Sequence, residues 1–427
     1  MENKKMRKKL LLFLFAIGLP PLLSLAFTLT DRSTPADTGF VAFGSQSEIE
    51  LPDPSQSYFD YQWALENSGN LRRTLSSPNP EYIEWGIGRD GSIGYRIRSD
   101  YEPGPGTTTI NNTDASSGID INVSPAWDVY ASLPDRRPVI VAVIDTGIDI
   151  SHPELTNSIW VNPNEIPGDG IDNDGNGYPD DIFGWNFYSG NNQIFSGPED
   201  DHGTHAAGTI ASAWDGRGTV GIADSTYVKI MPLKVLGSED GRGSTSSVKE
   251  AIRYAEANGA SICNLSAGTY TYDEELAAII RDSGMLFVIS SGNGDIFGIG
   301  YDIDQSPVYP AALPYDNIIS VSNLLFDGSL DESSNFGAVG VDIAAPGAYI
   351  LSTTSNNGYR FLSGTSMSAP MVTGVAALVY SCRPDLTLLD VREAILATAK
   401  KLPSLEGKAA TGGMLNAHGA ITYRLQP

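Results

Sequence analysis

The chain has 427 residues, of which 41% are apolar and 45 are glycine, so it can form one large α/β domain with a substantial buried core and a smaller segment beside it. Its formal net charge of −24 at pH 7 argues against nucleic acid as a partner, because phosphate would be repelled over most of the surface. Carboxylate-rich loops suit hard cations instead.

The first 26 residues have the composition of an export signal. Five basic residues among the first nine precede an apolar run from Leu10 to about Leu23, and Ser24–Ala26 has the small-x-small form of a cleavage site. We therefore expect a signal peptide cut after Ala26 and a secreted, extracellular protein. The alternative is an uncleaved anchor at the outer face of the membrane, because the apolar run can extend to Leu29, although Pro20-Pro21 weakens it.

Short β-branched runs alternate with helical patterns from Val139 onwards, which indicates an α/β fold with a mostly parallel sheet flanked by helices. The predicted strands are Val139–Ile144, Val228–Leu236, Ser261–Leu265, Leu286–Ser290, Ile318–Ser322 and Val341–Ala344. The predicted helices are Gly203–Trp214, Ser247–Asn258, Asp273–Ser283, Thr365–Ser381 and Leu388–Ala399. Because several strands are almost continuously apolar, both faces of the sheet should be buried.

Three short motifs each contain a residue suited to acyl transfer. The motifs are VIVAVIDTG (139–147), DDHGTHAAGT (200–209) and GTSMSAP (364–370). Asp145 ends an apolar strand, at the sheet edge where open α/β folds place their sites. A turn or capping role is the competing interpretation of this Asp, but it does not predict the other two motifs. Ser366 begins an apolar helix, whose N-terminal N–H groups and dipole favour developing negative charge.

The chain contains four histidines, which narrows the choice of a general base. His152 lies in a turn-like segment and His418 lies in the C-terminal tail. His202 and His205 remain, three residues apart at the start of a predicted helix. Such a pair can bind zinc, but no third His or nearby Glu completes a zinc site. The residues alone therefore leave these two histidines as candidates.

The segment Asp169–Asp181 places five carboxylates and two Asn in thirteen residues and resembles the opening half of an EF-hand loop. The twelfth position of that loop is Phe183 instead of Glu, so Asp180 or Asp181 must close the site. We expect structural calcium here, and a solvated acidic loop is the alternative. The predicted ligands are Asp172, Asp174, Asn176, the Tyr178 carbonyl and Asp181.

The three motifs, in the chain order Asp, His, Ser, resemble those of the subtilase family of serine proteases. The resemblance implies a subtilisin-like three-layer fold with a mostly parallel central sheet flanked by helices. It also implies that Ser366 is the nucleophile, that His202 is its base and that Asp145 orients the imidazole, while His205 is a packing residue. In Ser-Ser-Gly-Asn after a buried strand, Asn293 would donate its amide to the oxyanion.

The resemblance further implies the residues that bind substrate. An extended peptide would pair with the walls of the first specificity pocket, and Val308 falls where the pocket floor is expected. An apolar floor without a carboxylate disfavours basic residues, so we expect cleavage after apolar residues of modest size. The wall residues are Ser266, Ala267, Gly268, Ser290 and Gly292.

The same resemblance implies a second metal site. Glu154 and Asp215 match positions that hold a second structural calcium, to which Asp60 or Gln62 would contribute.

Met371 stands where many subtilases have His, one helical turn beyond the nucleophile. We expect this difference to alter packing and to leave the chemistry intact.

The domain organisation departs from that of secreted subtilisins, which usually carry a separately folded inhibitory propeptide. The match begins at Asp53–Asn70 and resumes at Gly118–Trp127, which predicts a peptidase domain over 53–427 with an insertion at about 71–117. Residues 27–52 are a pro-segment or a disordered linker. Either they act as a minimal pro-segment, or the insertion acts as chaperone or lid.

These observations predict a calcium-stabilised, secreted serine endopeptidase that acts on proteins or peptides as a monomer. The alternatives are a peptide ligase or cyclase that uses the same acyl-enzyme, and an inactive binding protein on the same fold. The inactive protein would require the loss of a triad residue, and none is lost. Cys263 and Cys382 could form one bridge, but we favour two buried free thiols, neither of them a nucleophile.

Overall fold

A computed structural model describes residues 53–69, 115–237, 241–295 and 298–424 in full, together with the backbone of six strands between residues 40 and 114. The predicted export segment lies outside the described residues. Two compact units are present, one built around residues 72–113 and the other containing residues 114–295 and 299–427 together with 32–71. The domain boundaries expected from the sequence stay predictions.

The elements are numbered here in chain order. The strands are β1 Phe40–Ala42, β2 Ser45–Ser47, β3 Arg72–Ser77, β4 Ile83–Ile87, β5 Ile93–Ile97, β6 Thr108–Asp114, β7 Val139–Asp145, β8 Trp185–Asn186, β9 Val228–Lys234, β10 Leu236–Gly237, β11 Arg242–Gly243, β12 Ile262–Leu265, β13 Ala267–Gly268, β14 Leu286–Ser290, β15 Ile318–Leu324, β16 Ile343–Pro346, β17 Ile350–Thr354, β18 Gly358–Ser363, β19 Lys400–Lys401 and β20 Gly413–Met414. The helices are α1 Val123–Ser132, α2 Asp201–Ala211, α3 Thr245–Ala257, α4 Glu274–Asp282, α5 Thr365–Cys382, α6 Leu388–Ala397 and α7 Ala417–Thr422.

The largest sheet of the described chain has nine strands in the order β19-β20-β16-β15-β14-β12-β7-β9-β8. Its neighbours pair in parallel, apart from the short antiparallel pair β19–β20. Because parallel strands need crossover connections, helices cover the sheet. The predicted α/β class with a mostly parallel sheet is confirmed.

Strand β7 shows why both faces of this sheet are apolar. Val141 and Val143 belong to a cluster that includes Val375 of α5, whereas Ala142 and Ile144 belong to a second cluster under α3 and α4. Successive side chains of a strand point to opposite faces, so a continuous apolar run is what a sheet with helices on each side requires.

The sequence located most of these elements and misplaced some boundaries. The expected strand Val228–Leu236 is interrupted at Val235, so that β9 ends at Lys234. The helix expected at Gly203–Trp214 begins two residues earlier, at Asp201, and ends at Ala211. Helix α1 and the β17–β18 hairpin were not predicted. Cys263 and Cys382 are both buried free thiols, as expected.

Within the described parts of the chain, no helix combines the length and the apolar character needed to cross a bilayer.

Candidate active site

Asp145 lies at the carboxyl end of β7, the third strand from one edge of the nine-stranded sheet, and only 1% of its surface is exposed. Its Oδ1 atom accepts a hydrogen bond from the Thr146 backbone N–H at 2.6 Å. The same oxygen lies 2.7 Å from Nδ1 of His202. The carboxylate therefore contacts the imidazole from the sheet edge, the place that the sequence predicted for it.

His202 is the second residue of α2, and the glycine that follows it lets the helix approach β7 closely. A Cβ on Gly203 would lie 2.2 Å from the carbonyl oxygen of Gly147 and 3.2 Å from Cβ of Asp145. The Gly203 N–H donates to Oγ1 of Thr146 at 3.1 Å. Helix α2 is thus held against the strand end at one point, beside the Asp145–His202 contact.

His205 lies one turn further along α2 and is fully buried. Its Nε2 atom lies 2.9 Å from the carbonyl oxygen of Ile350, and burial lowers its pKa to about 4. Burial also lowers the pKa of His152, whose ring contacts the carbonyl oxygen of Gly358 and the Glu154 N–H. Both rings are therefore neutral packing groups, and His202 is the histidine that meets Asp145.

Ser366 is fully buried in the first turn of α5, and α5 packs against α2. Its hydroxyl donates to the carbonyl oxygen of Ser266 at 3.2 Å. Pro370, one turn further on, has no N–H to donate to the Ser366 carbonyl. That carbonyl accepts from the Ser266 hydroxyl at 3.1 Å instead. Two reciprocal contacts with Ser266 thus hold the serine in place.

Asn293 lies beside the N-terminus of α5 with a fixed orientation. Its Oδ1 atom accepts from the backbone N–H of Thr365 at 2.9 Å and from the Thr365 hydroxyl at 2.8 Å. Since the oxygen end of the amide is held by Thr365, the NH₂ end points away from that residue. This end is the donor that an oxyanion needs.

The five predicted wall residues lie at or just after the ends of β12 and β14, whereas Val308 lies in a loop. Ala267 and Gly268 form β13, and Gly292 donates its N–H to Oγ1 of Thr365 at 3.2 Å. Ser290 is buried at the end of β14. Val308 is 1% exposed and packs in an apolar cluster with Ile303, Val341 and Ala409.

Comparison with known proteins decides the family. The profile of the subtilase family, Peptidase_S8, matches residues 136–419, which include the three motifs. This chain belongs to the subtilase family. The match confirms the family inferred from the sequence and the subtilisin-like fold.

Individual relatives of this subtilase agree with that result. It is 35% identical over 303 residues to subtilisin-like protease 1 of Plasmodium berghei (strain Anka), a match that covers 66% of this chain and 49% of the relative. It is 34% identical over 307 residues to halolysin of Haloferax mediterranei, covering 71% of this chain and 52% of the relative. The chain spans about half the length of the curated relatives it matches.

The acidic loop of this subtilase brings together two of the predicted ligands and one residue that the sequence did not suggest. Oxygens of Glu165, Asp174 and Asp181 lie within 4.8 Å of one another. Asp172 is outside this group of three, and its carboxylate accepts from the N–H groups of Asn176 and Gly177.

The remaining residues of the loop have other contacts. Asp180 accepts from the N–H groups of Gly168 and Gly170, so Asp181 is the carboxylate that joins the group. The side chain of Asn176 donates to Asp174 and Asp181, and the ring of Tyr178 packs on Trp185. Glu165 lies seven residues before Asp172, so a search of the 169–181 motif alone could not find it.

The second predicted metal position centres on Glu154, which is buried. Its Oε1 atom accepts from the Tyr359 hydroxyl at 2.9 Å, while its Oε2 atom has no hydrogen-bond partner among the described residues. Burial raises the pKa of Glu154 to about 7, and the charge of Asp215 adds to this rise. Asp60 is exposed, and both ends of the Gln62 amide bond the main chain of Val220.

Lys234 and Asp200 form a buried ion pair that the sequence analysis missed. The pair connects the end of β7, which carries Asp145, with the start of α2, which carries His202. Lys234 pairs in register with Asp145 on the neighbouring strand β9. Its ammonium donates to the carbonyl oxygen of Thr146 and to Oδ1 of Asp200, the residue before α2. Burial raises the pKa of Asp200 to about 6, although Lys234 opposes this rise. A lysine in an apolar strand was the signal that could have revealed the pair.

We expect Lys234→Met to lower the free energy of unfolding by about 3–5 kcal/mol, because it leaves the Asp200 carboxylate buried without its cation. The folded-state pKa of Asp200 lies above the unfolded value of 3.8, so its contribution to stability is full below that value and is lost as pH rises through about 6. Without the ammonium this pKa rises further. The loss should therefore be larger at pH 8 than at pH 5 in denaturant titrations.

The control is Lys249→Met, which removes a surface pairing with Asp273 and Glu275 and should change the unfolding free energy by less than about 1 kcal/mol. The double variant Lys234→Met/Asp200→Asn should recover part of the stability at pH 8. Equal losses at both pH values, or no recovery in the double variant, would contradict this role of the pair.

Proposed function

We propose that this subtilase is a serine endopeptidase that uses Asp145, His202 and Ser366 as its catalytic triad. The observation that carries the proposal is the 2.7 Å contact between Oδ1 of Asp145 and Nδ1 of His202. The packing of α2 against α5 brings the helix of this imidazole to the helix whose first turn contains Ser366. The placement of all three at one edge of the sheet supports these roles.

The proposed reaction proceeds through an acyl-enzyme. Nε2 of His202 takes the proton of the Ser366 hydroxyl as Oγ attacks the carbonyl carbon of the scissile peptide bond. Asp145 keeps the Nδ1–H tautomer and stabilises the imidazolium. The oxyanion is stabilised by the Asn293 amide and the Ser366 N–H. His202 then returns the proton to the leaving amine, and water hydrolyses the ester by the reverse sequence.

The proposed substrate is an extended segment of protein or peptide. Strand β1 pairs antiparallel with both β11 and β13, so these two strands can hold an extended segment between them through main-chain hydrogen bonds, the mode of recognition proposed for the substrate. Recognition of this kind accepts many different substrate side chains, except at the first specificity pocket. The proposed lining of that pocket includes Ser266, Gly292 and Val308. We further propose that the protein is exported and acts as a monomer outside the cell.

We expect Ser366→Ala to reduce kcat by at least about 10⁴-fold and to abolish labelling by a fluorophosphonate, because it removes the nucleophile. Ser368→Ala is the matched control, since Ser368 is equally buried on the same helix and its hydroxyl finds no hydrogen-bond partner in the described part of the chain. It should keep both labelling and casein hydrolysis. Asn293→Ala should lower kcat by about 10²–10³-fold, the size of the effect known for subtilisin itself.

The products of one incubated peptide separate this function from its alternatives. Two fragments whose masses sum to the peptide plus one water support hydrolysis. A ring or a joined product would instead assign a ligase, and an unchanged peptide without fluorophosphonate labelling would assign a binding protein.

We expect peptides with Leu before the scissile bond to have a higher kcat/KM than matched peptides with Arg. Val308 lies in an apolar cluster, so a guanidinium in the pocket would lose its hydration without meeting a carboxylate. The measurement is kcat/KM over a peptide series that differs at this one position. Faster cleavage after Arg than after Leu would contradict the proposed floor.

Calcium is the cation that fits the acidic loop, and we propose that it stabilises the fold. Glu165 and Asp181 are buried and lie with Asp174 in one group of three carboxylates. The described donors to Asp174 and Asp181 are neutral, among them Asn162, Asn176 and, for Asp181, the Tyr254 hydroxyl. Buried carboxylates without a cation are costly, and oxygen donors of this kind suit Ca²⁺.

Glu154 is the proposed centre of a second calcium site, with Asp215 as a further ligand. Its buried Oε2 atom lacks a hydrogen-bond partner among the described residues, and a cation would supply one. Bound calcium would supply charge neutralisation and stability at both sites.

We expect a chelator to lower the Tm of the protein, and calcium at one hundred times its Kd to restore about 2.7 kcal/mol of stability. Asp174→Asn should lose most of this gain, because Asp174 belongs to the group of three. Asp169→Asn makes the same charge change in the same loop, outside that group, and should keep the gain. An unchanged Tm with chelator, or equal effects of the two variants, would contradict the site.

A further inference from the structure

The short loop that carries Asn293 has a glycine on each side of that residue. Gly292 and Gly294 have φ angles of +98° and +76°, a region that residues with a side chain rarely adopt. Glycine loses more conformational freedom on folding than any other residue, so the main chain here needs contacts that fix it. Thr365 holds the Asn293 side-chain oxygen and the Gly292 N–H, which leaves the Gly294 side of the loop to other partners.

Asn335 supplies these partners from a distant part of the sequence. Its Oδ1 atom accepts from the Gly294 N–H at 3.0 Å, and its Nδ2 atom donates to the Ser291 carbonyl oxygen at 2.9 Å. Its backbone N–H donates to the Gly292 carbonyl oxygen at 2.9 Å. Its own carbonyl oxygen accepts from the Ser291 hydroxyl at 3.1 Å. Residues on both sides of Asn293 are therefore hydrogen-bonded to this one residue.

Asn335 is in turn held by the central sheet. It is 1% exposed, and its Oδ1 atom accepts a second hydrogen bond from the Tyr301 N–H at 3.2 Å. The hydroxyl of the preceding residue, Ser334, accepts from the backbone N–H of Asn323 in β15 at 2.8 Å. Strand β15 pairs with β14, whose end leads into the loop. Asn335 thus connects the loop to the sheet that also carries Asp145.

We propose that Asn335 is a positioning residue for the oxyanion and that it acts through Asn293. The inference rests on the proposed function, in which the Asn293 amide stabilises the oxyanion. A donor of this kind is effective only when it is already in place as the charge develops. A shift of the loop would therefore weaken transition-state binding more than substrate binding, and kcat would fall more than KM would change.

A role confined to folding predicts a different result. It would lower the Tm and the amount of folded enzyme without changing the turnover of each folded molecule. Turnover is therefore counted per site labelled to completion by a fluorophosphonate, so that unfolded protein is not mistaken for slow enzyme.

We expect Asn335→Ala to lower kcat about 10–100-fold and to change KM less than about threefold, because a displacement of about 1 Å can lower a rate about 10²-fold. The matched control is Asn67→Ala. Asn67 is 3% exposed, and its side chain likewise makes three hydrogen bonds to the main chain. This variant should have a lower Tm and a kcat within about twofold of the wild type.

A double variant tests whether Asn335 acts through Asn293. If it does, Asn293→Ala/Asn335→Ala should lose no more kcat than Asn293→Ala alone, to within about twofold. Losses that multiply, a loss confined to KM or an unchanged kcat in Asn335→Ala would overturn the inference and leave the proposed function intact. An unchanged kcat in Asn293→Ala would instead refute the oxyanion role in the proposed function, and the inference with it.

Ser291→Ala tests the same connection with a smaller change and serves where Asn335→Ala yields no labelled protein. It removes one hydrogen bond to the Asn335 carbonyl oxygen and keeps the side chain of Asn335. We expect kcat to fall about threefold to tenfold, with no further loss when Asn293→Ala is also present. The control is Ser381→Ala, which removes one hydroxyl bond to a carbonyl from an equally buried serine near the end of α5. Equal kcat values in the two serine variants would contradict the positioning role.

Discussion

The close approach of α2 to the end of β7 is the constraint on which the rest of the site depends. The helix can reach Asp145 because Gly203 has no side chain at the point where it meets the Gly147 carbonyl. The preceding residue, His202, then lies within hydrogen-bond distance of Asp145. The Lys234–Asp200 pair holds the same junction from the neighbouring strand. A small displacement here would alter the imidazole position, and errors of about 1 Å can lower a rate about 10²-fold.

Ser366, the proposed nucleophile, is held by a second set of contacts, which compensates for the proline inside helix α5. A proline inside a helix normally removes one hydrogen bond and costs about 3 kcal/mol. Here the carbonyl released by Pro370 belongs to Ser366, and the hydroxyl of Ser266 replaces the missing donor. Asn264 in turn contacts both Ser266 and the Thr373 hydroxyl further along α5. Helix α5 and the segment between β12 and β13 are thereby connected at Ser366, the proposed nucleophile.

The sequence predicted the parts of this molecule that obey a local rule. Continuous apolar runs located the parallel strands, and β14 matches its expected bounds fully, because a buried strand tolerates few polar residues. The β17–β18 hairpin was missed although Asn356-Asn357-Gly358, with positive φ at both Asn, is a hairpin signal. The Lys234–Asp200 pair joins residues 34 positions apart, and Glu165 lies outside the 169–181 motif. The lysine in an apolar strand marks one partner of the pair, but both contacts follow from the fold.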